Sequence, residues 1–361
     1  DLHSFPTRRS SDLDLSWING DQLNFNQIQD IKIEDLLERE PIVLGKENVK
    51  HELEGKVVMV TGAAGSIGSE ICRQVLQHNP KCLVMFDQAE SPMYDLQFEL
   101  NNEEPYKHIA VPKEYIVGNV KDINKMREVF EKFQPQIIYH AAAYKHVPLM
   151  ESFPYEAVFV NVGGTKIVAD FAIKYGVEKI VMISTDKAVN PTNVMGATKR
   201  IAEIYTQSRN SKTKFVTTRF GNVLGSNGSV IPLFKKQLAH GGPLTVTDRN
   251  IIRYFMTIPE ACSLVLEAGA IGEDDDIFVF DMGKPVKIYD LASKMIKLSH
   301  VPDVQIEITG LRPGEKLYEE LLATKENTIP TEHPKIMRAK VREYTEEEVN
   351  VEIAKLLEIL P

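Results

Sequence analysis

The sequence predicts an α/β protein with a doubly wound parallel sheet and a smaller C-terminal lobe. Short apolar runs, typical of strands buried on both faces, alternate with segments of helical spacing. The alternation stops after about Arg219, where glycines cluster in loop-like sequence. The chain has 361 residues, of which 43% are hydrophobic, so it is long enough for two lobes with a substantial core.

Seven apolar runs are predicted strands, and helical patterns separate most of them. The predicted strands cover residues 57–60, 82–86, 115–117, 137–139, 180–183, 215–216 and 277–280. The predicted helices cover residues 67–77, 92–102, 124–133, 156–175, 193–208, 259–268, 288–299 and 345–360, and a short helix or turn is expected over 31–37. Such alternation produces a parallel sheet with helices on both faces.

The same patterns divide the chain into five parts. Residues 1–13 are polar, lack a usable period and are interpreted as a non-native tail, and residues 14–54 are interpreted as a leader that packs on the main domain. Residues 55–220 form the sheet domain. Residues 221–330 are mainly a substrate lobe with one strand returning to the sheet, and residues 331–361 are a C-terminal extension with a helix.

Composition excludes several classes of protein. The net charge of −9 and the pI of about 5.6 argue against a nucleic-acid partner, since such binding needs clustered cations. Cys72, Cys82 and Cys262 form no CxxC pair, which favours a reducing cytoplasmic location. No apolar stretch is long enough to span a membrane. His140 and His146 lie on different elements without a cysteine, so no metal site is predicted.

A glycine-rich turn joins the first predicted strand to the first helix of the sheet domain. Gly62 permits the tight turn, Gly65 lets a pyrophosphate approach the backbone, and Gly68 lets the helix pack close to the strand. Asp87 ends the next strand, nineteen residues after Gly68. A carboxylate there can bind ribose hydroxyls and would repel a 2′-phosphate, so the pattern predicts a Rossmann dinucleotide site that favours NAD over NADP.

The GxxGxxG spacing resembles the extended short-chain dehydrogenase/reductase superfamily. Five further segments resemble the UDP-N-acetylglucosamine 4,6-dehydratases of capsular and surface polysaccharide synthesis. They are HAAAYKHVP at 140–148, NVGGT at 161–165, STDKAVNP at 184–191, RFGNVLGS at 219–226 and LRPGEK at 311–316. Larger members carry N-terminal membrane helices and an extra domain. We therefore interpret the chain as a portion of such a protein, and membrane anchoring of the parent stays open.

The resemblance implies an internal redox cycle on a UDP-sugar. A hydride leaves sugar C4 for NAD, a base removes the C5 proton, water leaves from C6, and the hydride returns to C6. The cofactor residues that the resemblance and the glycine turn together indicate are Gly62, Gly65, Ser66, Ile67, Gly68, Asp87, Asn119, Val120, Ala141, Ala142 and Lys199. We also expect a homo-oligomer.

The residues after the 180–183 strand carry the implied chemistry. Thr185 would hydrogen-bond the C4 oxygen, Asp186 would protonate the leaving C6 hydroxyl, and Lys187 would be the base at C5. Met195 stands where the superfamily usually has tyrosine, and Lys199, four residues later, fits the family's ribose-binding lysine. Since Met195 cannot ionise, the C4 base is open among Asp186, a water, and Lys199 acting through Thr185.

Substrate residues are implied in both lobes. The candidates are Lys145, His146, Asn222, Arg253, Arg312 and Glu315. Arginine suits a pyrophosphate because its planar fork donates two parallel hydrogen bonds. Two rival functions stay open. One is a UDP-sugar 4-epimerase, which needs no acid–base pair at C5 and C6. The other is a non-catalytic module that binds NAD or a UDP-sugar, which the loss of tyrosine at Met195 would favour.

Overall fold

The computed structural model describes residues 47–320 and 327–359. The expected tail over 1–13, the short helix or turn over 31–37 and most of the leader lie outside the described residues. Within them, no helix is long and apolar enough to span a membrane.

The described chain forms fifteen strands. They are β1 (Val57–Thr61), β2 (Cys82–Asp87), β3 (Lys113–Val117), β4 (Ile137–His140), β5 (Lys179–Thr185), β6 (Lys214–Phe220), β7 (Asn222–Val223), β8 (Leu244–Val246), β9 (Ile252–Arg253), β10 (Phe255–Met256), β11 (Ile277–Phe280), β12 (Val286–Lys287), β13 (Ile306–Ile308), β14 (Asn327–Pro330) and β15 (Ile336–Lys340). All seven predicted strands are present.

Twelve α-helices accompany these strands in the described residues. They are α1 (Glu47–Leu53), α2 (Ser66–Leu76), α3 (Glu90–Asn102), α4 (Ile123–Phe133), α5 (Val147–Ser152), α6 (Pro154–Ala157), α7 (Thr165–Tyr175), α8 (Val194–Gln207), α9 (Val230–Ala239), α10 (Ile258–Ile271), α11 (Ile288–Ser299) and α12 (Glu346–Glu358). Helical turns of other types cover Tyr106–His108, Val158–Gly164 and Asp186–Ala188.

A nine-stranded sheet in the order β14-β15-β11-β6-β5-β4-β1-β2-β3 organises the molecule. The strands from β11 to β3 are parallel, which confirms the predicted doubly wound Rossmann sheet, and β11 is the predicted returning strand. One apolar cluster lies under α1, α2, α3 and α10, and a second lies under α4, α7, α8 and α12. The sheet is therefore covered on both faces.

The edge of the sheet differs from the prediction. Strands β14 and β15 extend it with antiparallel pairs. Strand β14 closes the predicted substrate lobe, and β15 lies in the extension after residue 330, where only a helix was expected. Ile336 and Ala339 on β15 are buried, and Ala339 packs with Ile277 and Val279 of β11. A run of five residues in which only Ile336 and Ala339 are buried carries too weak a pattern to be recognised in the sequence.

The helix predicted over 156–175 is three segments. Helix α6 runs into a π-helical turn at Val158–Gly164, and α7 follows. Within the π turn, the buried Asn161 accepts a hydrogen bond from Tyr144 N at 2.8 Å and donates to Tyr144 O at 3.0 Å. The widened turn thus serves to hold the loop that follows β4.

The smaller lobe has its own core. Helices α9 and α11 pack with β8, and residues such as Phe234, Leu244 and Met295 are fully buried between them. Short strand pairs tie the lobe to the sheet domain: β7 leaves the end of β6 and pairs with β10. This connection carries Asn222 and Arg253 toward the carboxyl ends of the central strands.

Candidate active site

The glycine turn and the 185–187 turn lie at the same edge of the sheet. Strand β1 ends at Thr61 and β5 ends at Thr185, with only β4 between them. The strand order reverses beside β1, and ligands of open α/β sheets bind at such switch points, outside the carboxyl ends of the strands. The predicted cofactor and catalytic segments are thus brought together.

Close contacts with neighbouring backbone atoms require glycine at two positions of the turn. Gly62 has a φ of +71°, and a Cβ placed on it would lie 2.6 Å from Ala142 N. A Cβ on Gly68 would lie 2.0 Å from Gly62 O. Gly65 precedes α2, and no side chain caps this helix, so its first N–H groups stay available to an anion. This cradle fits a dinucleotide pyrophosphate.

Asp87 is bound to the cradle by two hydrogen bonds. Its Oδ2 accepts from Ala64 N and its Oδ1 accepts from Ala89 N, both at 2.9 Å. A cleft of about 270 Å³ opens beside it, and no lysine or arginine lines this cleft within the described residues. Of the predicted cofactor residues, the cleft is lined by Gly62, Gly65, Asp87, Asn119, Val120, Ala141 and Ala142. Ser66, Ile67 and Gly68 lie in the first turn of α2.

The smaller lobe also reaches the cradle. Asn227 lines the cleft, and its N–H donates to Ser66 Oγ at 3.1 Å. The adjacent Gly228 has a φ of +70° and lies against His146, because a Cβ there would be 2.5 Å from the His146 Cε1 atom. The loop over 225–229 therefore bridges the two lobes, a contact that the glycine-rich sequence alone did not reveal.

The 185–187 turn holds a compact polar cluster. The Thr185 hydroxyl donates to Asp186 Oδ1 at 2.9 Å, and the Lys187 ammonium donates to the same oxygen at 2.9 Å and to Asn222 Oδ1 at 3.1 Å. Asp186 is 1% exposed, and its Oδ2 finds no hydrogen-bond partner among the described residues. A Cβ on Gly221 would lie 2.9 Å from this oxygen, so glycine makes room for the carboxylate.

A buried ion pair fixes the elements below this turn. Glu203 on α8 accepts two hydrogen bonds from Arg219 on β6, at 2.9 and 2.8 Å, and one from Ser184 on β5 at 2.6 Å. Burial alone would raise the pKa of Glu203, but the charge and hydrogen bonds of Arg219 hold it below its usual value. The pair joins the strand that carries Thr185 to the helix that carries Lys199.

Lys199 and His140 are titratable groups whose side chains are buried, which is uncommon for such residues. Burial lowers the pKa of Lys199 to about 8, against an opposing effect of Glu203. Burial and the nearby Lys199 charge lower the pKa of His140 to about 3, so its ring is neutral. His140 bridges Thr61 Oγ1 at 2.7 Å and Thr165 Oγ1 at 2.9 Å. No hydrogen bond to the Lys199 ammonium occurs within the described part of the chain.

Met195 packs in a small apolar cluster with Met150 and Ala157 and is 3% exposed. The next residue of α8, Gly196, lies against the 185–187 turn, since a Cβ on it would be 2.2 Å from Lys187 O. Met195 therefore contributes apolar packing beside the site, and its thioether side chain supplies no ionisable group.

Lys145 and His146 lie in the loop after β4. Partial burial and the positive charge of Lys187 lower the pKa of Lys145. Partial burial, Lys145 and Arg312 lower the pKa of His146. Lys145 is thus near Lys187, whereas His146 is near Lys145 and the predicted diphosphate residue Arg312.

Residues 312–320 pack beside the 185–187 turn, against the loop that follows it, and we call this segment the strap. Lys316 donates to the carbonyls of Val189 and Asn190 at 3.3 and 2.7 Å, and Asn190 donates to Glu320 at 2.7 Å. Asn193 donates to Gly314 O at 3.0 Å. These bonds hold the strap against the loop that follows Lys187.

Two of the predicted diphosphate residues differ in exposure. Arg253 is 6% exposed and donates to the carbonyls of Ile252, Lys316 and Leu317, so its guanidinium anchors the strap. Arg312 is exposed and forms a two-bond ion pair with Glu315 at 3.2 and 3.3 Å. That they bind a diphosphate stays a prediction.

Glu319 was not among the site residues predicted from the sequence. This strap residue is 6% exposed, its Oε1 lies 3.8 Å from Arg253 Nη2, and its Oε2 has no hydrogen-bond partner in the described chain. Burial raises the pKa of Glu319, and the negative charge of Asp186 raises it further. The positive charges of Lys187, Arg253 and Lys316 act in the opposite direction and lower this pKa. A glutamate in a charged segment such as LYEE, residues 317–320, is normally exposed to solvent. Only the fold therefore shows that Glu319 is buried near the site. No cluster suited to a metal ion occurs among the described residues.

Comparisons with known families and proteins point to the same family as the sequence motifs. Residues 58–341 match the model of the family described as polysaccharide biosynthesis protein. The chain is 50% identical over 341 residues to the capsular polysaccharide biosynthesis protein CapD of Staphylococcus aureus, covering 93% of the chain and 56% of CapD. It is 53% identical over 314 residues to the "probable polysaccharide biosynthesis protein EpsC" of Bacillus subtilis, covering 86% and 52%. The chain thus spans about half the length of these relatives.

A more distant relative is the UDP-glucose 4-epimerase of Rickettsia rickettsii, 34% identical over 75% of the chain and 79% of that protein. Among solved structures, Pen from Bacillus thuringiensis is 32% identical with a TM-score of 0.72, over 84% of the chain and 98% of Pen. The dTDP-glucose 4,6-dehydratase DesIV of Streptomyces venezuelae, solved with NAD, has a TM-score of 0.63 at 20% identity, over 73% and 87%. This last likeness shows the fold alone.

Proposed function

The chain belongs to the polysaccharide biosynthesis protein family, as its motifs predicted, and from this premise we propose that it is an NAD-dependent 4,6-dehydratase of UDP-N-acetylhexosamines. The product would be a UDP-4-keto-6-deoxy sugar for surface polysaccharide synthesis. The observation that carries the proposal is the Asp186–Lys187 pair beside the dinucleotide cradle. An elimination between C5 and C6 needs both an acid and a base, and this pair supplies both types of group.

The cradle fits NAD. Gly62, Gly65 and the start of α2 would hold the pyrophosphate, and Asp87 would hold the adenosine ribose. A cleft lined without lysine or arginine offers nothing to neutralise a 2′-phosphate, which supports NAD over NADP. NAD, when bound, would accept a hydride from sugar C4 and return it to C6. Lys199, buried and without a hydrogen bond from any described residue, is the proposed partner of the nicotinamide ribose.

The Thr185–Asp186 hydrogen bond supports one of the open routes for the C4 proton. Because the Thr185 hydroxyl donates to Asp186 Oδ1, its lone pairs can accept a hydrogen bond from the C4 hydroxyl. Loss of hydride from C4 would then send the hydroxyl proton through Thr185 to Asp186. Met195 needs no role in this relay.

The proton acquired by Asp186 can then complete the elimination. Lys187, after its ammonium has given a proton to solvent, removes the C5 proton, the bond between C6 and its oxygen breaks, and Asp186 gives its proton to the departing hydroxide, so that water forms. Lys187 returns a proton to C5 as the hydride arrives at C6. The C4 hydroxyl proton thus leaves in the water, and Lys187 regains its own proton from solvent.

Substrate binding is assigned to both lobes. We propose that Arg312 and Glu315 of the strap, with Arg253 as its anchor, border the UDP diphosphate. Lys145, His146 and Asn222 surround the position of the sugar. The expected homo-oligomer and cytoplasmic location stay predictions.

A 4-epimerase is the second candidate, favoured by the Rickettsia relative. An epimerase shares the C4 oxidation and has no elimination. Incubation with UDP-N-acetylglucosamine and mass spectrometry of the product separate the two functions. We expect a product lighter by one water; an unchanged mass with inverted C4 would support the epimerase. Tight NAD binding with no turnover would support the non-catalytic module.

A further inference from the structure

The cofactor cleft offers the pyrophosphate of a dinucleotide no cation. No lysine or arginine lines this cleft within the described residues, so neutral N–H and O–H donors would have to balance the phosphate charges. The free N–H groups at the start of α2 supply part of this stabilisation. A further side-chain donor that lines the cleft and is not already bonded is therefore a candidate ligand of the pyrophosphate.

Three residues with side-chain amides line the cleft in the described chain, and two of them are already engaged. Asn119 Nδ2 donates to Gln88 Oε1 at 2.5 Å, and Gln88 Nε2 donates to the Tyr144 hydroxyl at 3.3 Å. The third is Asn227, whose side chain forms no hydrogen bond with a described residue. Its amide group can therefore donate to a ligand in the cleft. Asn227 is also the one residue of the smaller lobe among the described residues that line the cleft.

The backbone of Asn227 prepares a second donor. Its N–H donates to Ser66 Oγ at 3.1 Å, and Ser66 is the first residue of α2. A hydroxyl has one hydrogen to donate and lone pairs with which to accept. Because Asn227 binds a lone pair of Ser66 and no described residue accepts its hydrogen, the hydroxyl can donate to a phosphate oxygen at the start of the helix.

A tight turn holds Asn227 in this position. Ser229 N donates to Ser226 O at 3.0 Å, and Gly228 has a φ of +70°, the conformation that a type II turn takes at its third residue. Ser226 is buried. A Cβ on Gly228 would lie 2.5 Å from His146 Cε1, so the ring of the sheet domain packs closely against the turn. The turn is thus fixed by residues of both lobes.

We propose that Asn227 is a cofactor-binding residue that the smaller lobe contributes. Its side-chain amide donates to the pyrophosphate of NAD, and its backbone N–H positions the Ser66 hydroxyl for the same group. The inference rests on the NAD site of the proposed function and is independent of the elimination. Because the proposed cycle regenerates NAD, a cofactor held by both lobes would stay bound from one turnover to the next.

Charge substitutions at Asn227 test this contact through the affinity for NAD. In calorimetric titration of the cofactor-free protein, we expect N227A to raise the Kd about tenfold, the scale of one hydrogen bond to a charged group. N227D should raise the Kd about 100-fold because a carboxylate repels the diphosphate, and N227K should lower it because an ammonium attracts the diphosphate. ADP-ribose, which has the diphosphate and lacks the nicotinamide, should give the same order of affinities.

Two sets of variants serve as controls. Asn102 is exposed at the end of α3 and does not line the cleft, so N102D and N102K should leave the Kd for NAD unchanged. Gly228 and Gly241 both have a positive φ, of +70° and +81°, but a Cβ on Gly241 meets nothing within 4 Å. G228A should displace the turn from His146 and raise the Kd, whereas G241A should not.

The outcomes distinguish this role from the proposed function. Equal NAD affinities of N227A, N227D and N227K, or changes seen with NAD and not with ADP-ribose, would overturn the role of Asn227. If the unmodified protein binds no NAD, the proposed cofactor fails, and the role of Asn227 fails with it. If NAD binds with the expected order of affinities but no dehydrated product forms, the proposed elimination fails and the role of Asn227 stands.

Discussion

Lys187 and Asp186, adjacent in the sequence, form an ion pair of 2.9 Å in which the carboxylate is completely buried. The side chain of Lys187 is 17% exposed and also donates to Asn222 across the lobe boundary. A carboxylate and an amine in direct contact at the end of a central strand, two strands from the glycine cradle, are the arrangement on which the proposed water elimination depends.

Removal of the Lys187 amine should abolish product formation. We expect K187A to lose at least about 100-fold in the rate of product formation, because no other group of the turn can take the C5 proton. NAD affinity should be unchanged, since Lys187 does not line the cofactor cleft. K174A, an exposed lysine on α7, is the matched control. A K187A variant as active as the control would remove the base assignment.

Gly62 and Gly55 offer a matched test of the cradle. Both have a φ of +71°, but a Cβ on Gly55 meets nothing within 4 Å, whereas one on Gly62 lies 2.6 Å from Ala142 N. G55A should cost about 1 kcal/mol of unfolding free energy for the left-handed backbone. G62A should cost about 1–3 kcal/mol more because of the clash. Urea unfolding without cofactor measures both, and equal losses would contradict the close approach.

The Asp87 carboxylate should determine cofactor preference. In D87N the amide can accept from only one of Ala64 N and Ala89 N, and its NH₂ group faces the other. We expect the Kd for NAD to rise about tenfold and the preference for NAD over NADP to narrow. Calorimetric titration of D87N against D95N, an exposed aspartate of α3, measures this. An unchanged ratio of the two affinities would argue against a ribose contact.

Lys199 should make stability depend on pH. Burial lowers its pKa from 10.5 to about 8. The buried ammonium therefore destabilises the folded state below pH 8, and this destabilisation is absent above pH 10.5. K199M should therefore raise the unfolding free energy by about 3 kcal/mol at pH 7. The gain should shrink between pH 8 and 10.5. Urea unfolding of the cofactor-free protein, with the exposed-lysine variant K284M as control, measures it; a gain independent of pH would contradict the shift.

The sheet domain could be predicted because its strands are local patterns. Runs such as 82–86 and 277–280 are apolar throughout, since both faces of the sheet are covered. Strand β15 could not be predicted in this way, because only Ile336 and Ala339 of its five residues are buried and its neighbour β14 lies at the edge of the sheet. The π turn also depends on a distant contact, between Asn161 and Tyr144.

The candidate site likewise has one part that the sequence predicts and another that only the fold brings together. Gly62, Asp87 and the 185–187 turn are recognisable because each stands at a fixed offset from a strand. Glu319 enters the site only through the hydrogen bonds of the strap, between residues more than 120 positions apart. The anchoring role of Arg253 likewise depends on carbonyls that its own sequence neighbourhood does not predict.

Incubation of the protein with UDP-N-acetylglucosamine in deuterated water, with NMR and mass analysis of the product, tests the central claim most directly. The account predicts a 4-keto-6-deoxy sugar that has lost one water and carries deuterium at C5, because Lys187 exchanges its protons with solvent before returning one. Recovery of a sugar with its full mass and no label at C5 would contradict it.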